Sequence, residues 1–103
     1  MPTTDALWGG QLTAVGFDAV VHRLTLQVDV VEGGERAIYD LVCTGVSDLR
    51  FTNSIPTPWS YAEVTEVHTS KTTAGKWMVE LILWSEGCEL VCSCDTFTVM
   101  EHS

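Results

Sequence analysis

The stretch "VVHRLTLQVDVVEGGERAIYDLVCTGV", residues 20–46, decides the fold. Its first half alternates two sets of side chains, with one face formed by Val20, His22, Leu24, Leu26, Val28 and Val30 and the other by Arg23, Thr25, Gln27 and Asp29. A period of two is typical of a half-buried antiparallel strand. The pair Gly33-Gly34 can adopt positive φ, and a β-rich pattern resumes after it, so the stretch predicts a β-hairpin.

Two flanking regions extend this pattern of short strands and turns. The segment "QLTAVGFDAV", residues 11–20, predicts another strand that bends or bulges near Gly16. Farther on, residues 61–70 and 76–85 are both strand-like, and they flank the short turn "KTTAG", residues 71–75. We therefore expect a second hairpin there.

The remaining segments complete the predicted architecture. In "LVCSCDTFTVM", residues 90–100, the apolar alternation changes phase, which a bulge between Ser93 and Thr96 explains. No long stretch keeps a helical period, although "VSDLRF", residues 46–51, is compatible with a single helical turn. We expect one all-β domain, residues 1–103, with six or seven antiparallel strands built from hairpins into a sandwich or flattened barrel.

The chain is strongly acidic, with 14 Asp and Glu against 5 Lys and Arg and a formal net charge of -9. This charge repels phosphate backbones and anionic membranes, and it accelerates association with a basic partner. The N-terminal residues lack the features of a signal peptide, and no apolar run approaches the roughly 18 residues that span a bilayer. We expect a cytoplasmic protein that binds neither nucleic acid nor membranes.

The four cysteines are Cys43, Cys88, Cys92 and Cys94. A cytoplasmic location favours reduced thiols over disulfides. Cys92 and Cys94 are two apart on one strand, unlike the tight C-x₂₋₄-C turn that is common in structural zinc sites. We expect thiols that act as small buried hydrophobic side chains, with Cys88 the most exposed, and neither a metal nor another cofactor.

The titratable residues give no indication of an enzyme. No local motif such as G-x-S-x-G places a nucleophile beside a base. His22 falls on the apolar face of its strand, and His68 lies in a strand rich in Thr and Glu, where exposure to solvent explains it. Glu63 and Glu66 are three apart on a strand and should face opposite sides, which is poor geometry for an acid and base pair. We expect no catalytic residues.

The segment "IPTPWSYAEVTE", residues 55–66, interrupts the strand-like sequence. Pro56 and Pro58 lack an N–H and hold the preceding residues extended, so the segment is a connection rather than a central strand. Two interpretations of Trp59 remain open. It either plugs one end of the core, or it forms an exposed anchor for a protein partner.

The second interpretation places an aromatic and acidic binding patch in this connection, formed by Trp59, Tyr61, Glu63 and Glu66. Trp and Tyr are favoured as anchors at protein interfaces, and a rigid loop loses less conformational entropy on binding. With the negative net charge, the patch predicts a basic protein partner.

The stretches "GFDAVVHRLTLQVDV" (16–30), "YDLVCTGVSDLRF" (39–51) and "GCELVCSCDTFTVM" (87–100) together resemble a group of small bacterial β-rich domains, the YxiG-like domains among them. Some of these domains are immunity proteins of polymorphic toxin systems. The resemblance implies a non-catalytic protein that binds and neutralises a cognate toxin, as in a toxin and antitoxin pair. The alternative is an accessory or assembly subunit of a larger bacterial complex, or a homodimeric structural protein.

Overall fold

A computed structural model describes residues 3–54, 58, 62–84 and 88–101. In these residues a 3₁₀-helical turn, Thr4–Leu7, precedes eight strands. The strands are β1 (Gln11–Asp18), β2 (Arg23–Glu32), β3 (Glu35–Thr44), β4 (Asp48–Asn53), β5 (Ala62–Lys71), β6 (Trp77–Leu83), β7 (Cys88–Cys94) and β8 (Thr96–Glu101). They form one open antiparallel sheet in the order β4-β7-β6-β5-β1-β2-β3-β8.

The all-β antiparallel class is therefore confirmed, but the finer prediction is wrong. The described residues contain eight strands rather than six or seven, and these strands form one open sheet instead of a sandwich or flattened barrel. The count differs partly because the stretch with the predicted bulge holds two strands. At Asp95 the chain leaves β7, which pairs with β4 and β6, and enters β8, which pairs with β3.

The chain turns sharply between β3 and β4 at the same place where it passes from β7 to β8. Gly45 takes φ +67° there. The Ser47 N–H donates to the Ser93 carbonyl and the Asp95 N–H donates to the Thr44 carbonyl, each at 2.9 Å. We call Gly45 to Ser47 together with Asp95 the corner. The corner joins the ends of β3 and β7, and buried side chains from both strands belong to one hydrophobic core.

Both predicted hairpins are present. Gly33 and Gly34 form the turn between β2 and β3 with φ +61° and +83°, as two-residue hairpin turns require. Residues 72–76 connect β5 to β6, whose pairing begins at Lys71 and Trp77. The alternation of β2 also holds, because Leu24, Leu26 and Val28 are fully buried.

The start of β2 differs from the prediction. The strand begins at Arg23, and Val20 lies in the preceding turn with 89% of its surface exposed. Oδ1 of Asp18 accepts the N–H of Val20 at 2.9 Å, which holds this turn. His22 is exposed and takes φ +56°, so its predicted place on the apolar face is wrong.

Two further local predictions are corrected. The bulge in β1 lies between Leu12 and Ala14 rather than near Gly16. The segment predicted as a helical turn, 46–51, instead contributes to β4, because Asp48–Asn53 pairs with β7 along its whole length. The tertiary pairing overrides the local signal, and the helical turn lies at Thr4–Leu7.

The core is built from alternate residues on one face of the sheet. Its largest fully buried side chains include Leu24, Leu26, Leu41, Leu81 and Leu83. Among the described residues no polar or charged side chain is buried. Charged side chains therefore lie on the outer face or at the edges.

The part of the chain that the structure describes contains no helix with the length and apolar character needed to cross a membrane.

Candidate functional site

The four residues predicted to bind a partner fall into two groups. Trp59 and Tyr61 lie outside the described residues, so their part of the prediction stays a prediction. Glu63 and Glu66 lie on β5, where Glu63 is exposed and the Glu66 side chain is 45% exposed.

A bulge in β5 turns Glu63 and Glu66 to the same side of the sheet. The register of β5 with β6 shifts between Val64 and Glu66. Val64 and Val67 are both buried although they are three residues apart. Glu63 precedes the first and Glu66 precedes the second, so both glutamates face outward. The expectation that the two glutamates face opposite sides is wrong, because a bulge adds one residue and changes the phase of the strand.

Two glutamates on the neighbouring strands extend this surface. Every second residue of β6 and β7 is buried, which places Glu80 and Glu89 on the outward side. Ile82 pairs directly with Glu66 on one side and with Glu89 on the other. We call Glu63, Glu66, Glu80 and Glu89 the acidic face. The sequence did not identify Glu80 and Glu89, because only the register between strands places them beside Glu66.

The acidic face holds crowded negative charge. Burial, a hydrogen bond with Glu89 and the charge of Glu89 raise the pKa of Glu80, and the charge of Glu66 acts in the same direction. His68 opposes this effect. Its Nε2 lies 2.9 Å from Oε1 of Glu66, and the His68 side chain is 52% exposed, as its sequence context predicted. Burial and the neighbouring carboxylates therefore both favour the protonated form of Glu80.

Three of the five Lys and Arg side chains form ion pairs with acids that do not belong to the acidic face. The ion pairs of Lys and Arg in the described residues are Arg36 with Asp29, Arg50 with Asp48, and Lys76 with Asp95. Arg50 lies at the margin of the acidic face, because it pairs with Val91 on β7. On the face itself His68 contacts Glu66, and it carries a charge only when it is protonated.

Apolar side chains lie between these carboxylates. Ile82 and Val91 are half-buried on the outward side, and Val91 pairs directly with Glu80. Met78 is half-buried on the same side of β6. A surface with apolar side chains at its centre and charged groups around it resembles the composition of protein interfaces.

Three cysteines form a separate cluster in the core. The Sγ atoms of Cys43, Cys92 and Cys94 all lie within 4.8 Å of one another, and all three residues are buried. The predicted burial of Cys92 and Cys94 is confirmed. Cys43 was not associated with them, because it lies on β3 and reaches them only across the core.

Cys88 is also buried, with 1% of its surface exposed. The prediction that it is the most exposed cysteine is wrong, because it begins β7 rather than lying in a turn, and its side chain alternates with Glu89 onto the buried side. Its Sγ donates to Oδ1 of Asn53 at 3.3 Å. Cys88 therefore has a partner apart from the cluster.

The three clustered thiols perturb one another. A hydrogen bond with Cys92, together with burial, raises the pKa of the Cys43 thiol well above its usual range. The hydrogen bond from Cys43 lowers the pKa of Cys92 against the effect of burial, and burial raises the pKa of Cys94 to about 11. The three sulfur atoms therefore form one interacting group within the core.

No protein-family model matches the chain, and no curated protein is similar to it in sequence. The function is therefore inferred from the surfaces of the molecule and from the residues that form them.

Proposed function

We propose that this protein is a non-catalytic binding domain that docks a basic protein partner on its acidic face. The observation that carries the proposal is the convergence of carboxylates from β5, β6 and β7, where burial, a hydrogen bond with Glu89 and the charges of Glu89 and Glu66 raise the pKa of Glu80. Negative charge gathered at one place is unfavourable in the unbound protein. Lys or Arg side chains of a partner would relieve it on binding and would also be attracted over a distance.

The apolar side chains favour a protein over a small cation as the occupant. Ile82 on β6 lies between Glu66 on β5 and Glu89 on β7, and Val91 pairs with Glu80, so apolar side chains lie among the carboxylates. A free cation would gain nothing from Ile82 and Val91, whereas a protein surface would bury them. Apolar contacts at the centre and charge pairs at the rim are the usual division in an interface.

We propose further that the partner is a cognate bacterial toxin and that binding neutralises it. The resemblance to immunity-type domains supports this role, and so does the sign of the charge, since toxins that act on nucleic acids are commonly basic. The net charge of -9 also favours rapid association with a basic protein.

The test uses two variants with equal net charge. The acidic-face variant carries Glu66→Gln, Glu80→Gln and Glu89→Gln. The control variant carries Asp5→Asn, Glu35→Gln and Glu101→Gln, at three exposed positions on other elements. Each variant loses three negative charges, so both change the formal net charge from -9 to -6. A difference between them therefore reports position rather than total charge.

The variants are co-expressed with the protein encoded beside this one in the genome, and cell growth and co-purification are measured. We expect the neighbouring protein to inhibit growth when expressed alone, wild type and the control variant to restore growth, and the acidic-face variant to restore it poorly. Equal protection by both variants would exclude the acidic face. A neighbouring protein that binds but is harmless would contradict the toxin role and leave the docking role supported.

A second candidate, an assembly subunit or homodimer, is favoured by a different surface. Val15, Phe17, Val20 and Val21 are 45% to 89% exposed along β1 and the turn that follows it. These residues form a group of apolar side chains exposed to solvent. Exposed apolar groups of this kind favour association with another chain. Light scattering tests this candidate, which predicts a dimer that Phe17→Lys dissociates. A monomeric wild type would exclude the homodimer.

A further inference from the structure

Three of the four cysteines converge although they come from strands far apart in the sheet order. Cys43 lies on β3, and Cys92 and Cys94 lie on β7, yet the three Sγ atoms are within 4.8 Å of one another. Cys43 and Cys94 are the last buried residues before the chain reaches the corner at Gly45 and Asp95. The cluster therefore lies where the two halves of the sheet meet.

The surroundings of the cluster are apolar. The direct strand partners of the three cysteines are Leu24, Leu49, Trp77, Val79 and Phe97. Each cysteine is at most 1% exposed. The fourth cysteine, Cys88, lies at the opposite end of β7 and donates to Asn53. Ordinary burial of thiols accounts for each cysteine alone but does not require three sulfur atoms to face one point.

We propose that Cys43, Cys92 and Cys94 bind a soft d¹⁰ cation through three thiolates, and that copper(I) is the preferred ion. Thiolates select soft ions such as copper(I) and zinc(II). Structural zinc is almost always four-coordinate, and no fourth His, Cys, Asp or Glu of the described residues joins this cluster. A three-coordinate set of sulfur ligands suits copper(I) better than zinc(II).

The chemistry of binding has two consequences. Each thiol loses its proton when its sulfur bonds to the ion, so binding releases protons and strengthens as the pH rises. Net negative charge in an apolar core is costly, and the metal–sulfur bonds must offset that cost. Because the ion would connect β3 to β7 beside the corner, it should also stabilise the folded protein.

The test loads the ion while the chain folds, because the buried cluster has no direct access to solvent. Reduced, unfolded protein is refolded without oxygen in the presence of copper(I) buffered by bicinchoninate, with a parallel sample in zinc(II). The variants are Cys43→Ser, which removes one ligand, and Cys88→Ser, which removes a buried thiol outside the cluster. The bound metal per chain, the near-ultraviolet charge-transfer absorption and the melting temperature are measured.

We expect wild type and Cys88→Ser to retain one copper(I) ion per chain and to melt at a higher temperature with it than without it. Cys43→Ser should bind copper(I) about a hundredfold more weakly. Replacing a residue that only hydrogen-bonds to a metal ligand can already weaken metal binding by about that factor. Equal binding by Cys43→Ser and wild type would overturn the proposal. Retention of zinc(II) in preference to copper(I) would overturn the assignment of the ion.

A measurement on wild type alone keeps the proposal testable if Cys43→Ser does not fold. X-ray absorption at the copper edge reports the number of sulfur atoms bound to the ion. Three sulfur neighbours support the proposal, and two or fewer contradict it.

Discussion

Gly45 is the residue on which the corner depends most directly, and Gly45→Ala tests that role. The residue takes φ +67°, where a side chain costs about 1–2 kcal/mol. A Cβ atom at this position would lie 2.6 Å from Cγ and 2.8 Å from Cβ of Asp95. Rotation of the Asp95 side chain can move Cγ away but cannot move Cβ, so the backbone must shift.

The expected loss of stability combines these two effects. Overpacking of this kind costs about 1–3 kcal/mol. Together with the backbone strain, we expect Gly45→Ala to lower the free energy of unfolding by about 2–5 kcal/mol. For a domain of this size each kcal/mol corresponds to about 4–8 °C, so the melting temperature should fall by at least about 8 °C. Urea unfolding and thermal melts measure the change.

Gly33→Ala is the matched control. Gly33 takes a similar φ of +61°, but a Cβ atom there meets nothing within 4 Å. This variant should lose only the strain contribution of about 1–2 kcal/mol. Adding Asp95→Gly to Gly45→Ala should recover the contact contribution, which a double-mutant cycle isolates. If Gly45→Ala costs no more than Gly33→Ala, the close approach at the corner is not the constraint described above.

Two further predictions concern the acidic face and the thiols. The raised pKa of Glu80 means that the folded state holds the Glu80 proton more tightly than the unfolded state does. The stability that Glu80 contributes is therefore complete below its ordinary pKa of 4.5, and it is lost as the pH rises through the raised pKa. Glu80→Gln should therefore raise the melting temperature at neutral pH, and this increase should vanish below pH 4.5. An increase that persists in acid would mean that the ionised form of Glu80 is not its source. All four cysteines are buried, so a thiol reagent should label each of them slowly in the folded protein. The unfolded protein should be labelled at all four. Rapid labelling of Cys88 in the folded protein would contradict its burial.

The parts of the fold that the sequence predicted are local. The hairpin at Gly33 and Gly34 depends on two adjacent glycines between alternating strands, and both signals lie within one window. The β5–β6 hairpin has the same kind of signal. The all-β class follows from these elements without any knowledge of how the strands pair.

The parts that the sequence did not predict depend on pairing between distant segments. The change of phase at Asp95 is visible in the sequence, but nothing local shows that β8 leaves the neighbours of β7 and joins β3. Segment 46–51 resembles a helical turn until β7 lies beside it. Tertiary contacts decide both cases.

The candidate site shows the same division. Glu63 and Glu66 were predicted as binding residues, but the bulge that turns them to one face has no recognisable sequence signal. Glu80, Glu89 and Cys43 join their clusters only through the register and curvature of the sheet. Residue types and alternation predict which side chains face outward or inward, and the pairing determines which of them meet.

Docking of a basic partner on the acidic face is tested most directly by the rate of association with the protein encoded beside this one. Stopped-flow association is measured for wild type, the acidic-face variant and the control variant over a range of salt concentrations. Local charge steers association, so the acidic-face variant should associate about tenfold more slowly at low salt and depend less on salt, whereas the control variant should remain close to wild type. Equal slowing of both variants would mean that only net charge matters, and unchanged rates in both would mean that the partner binds elsewhere.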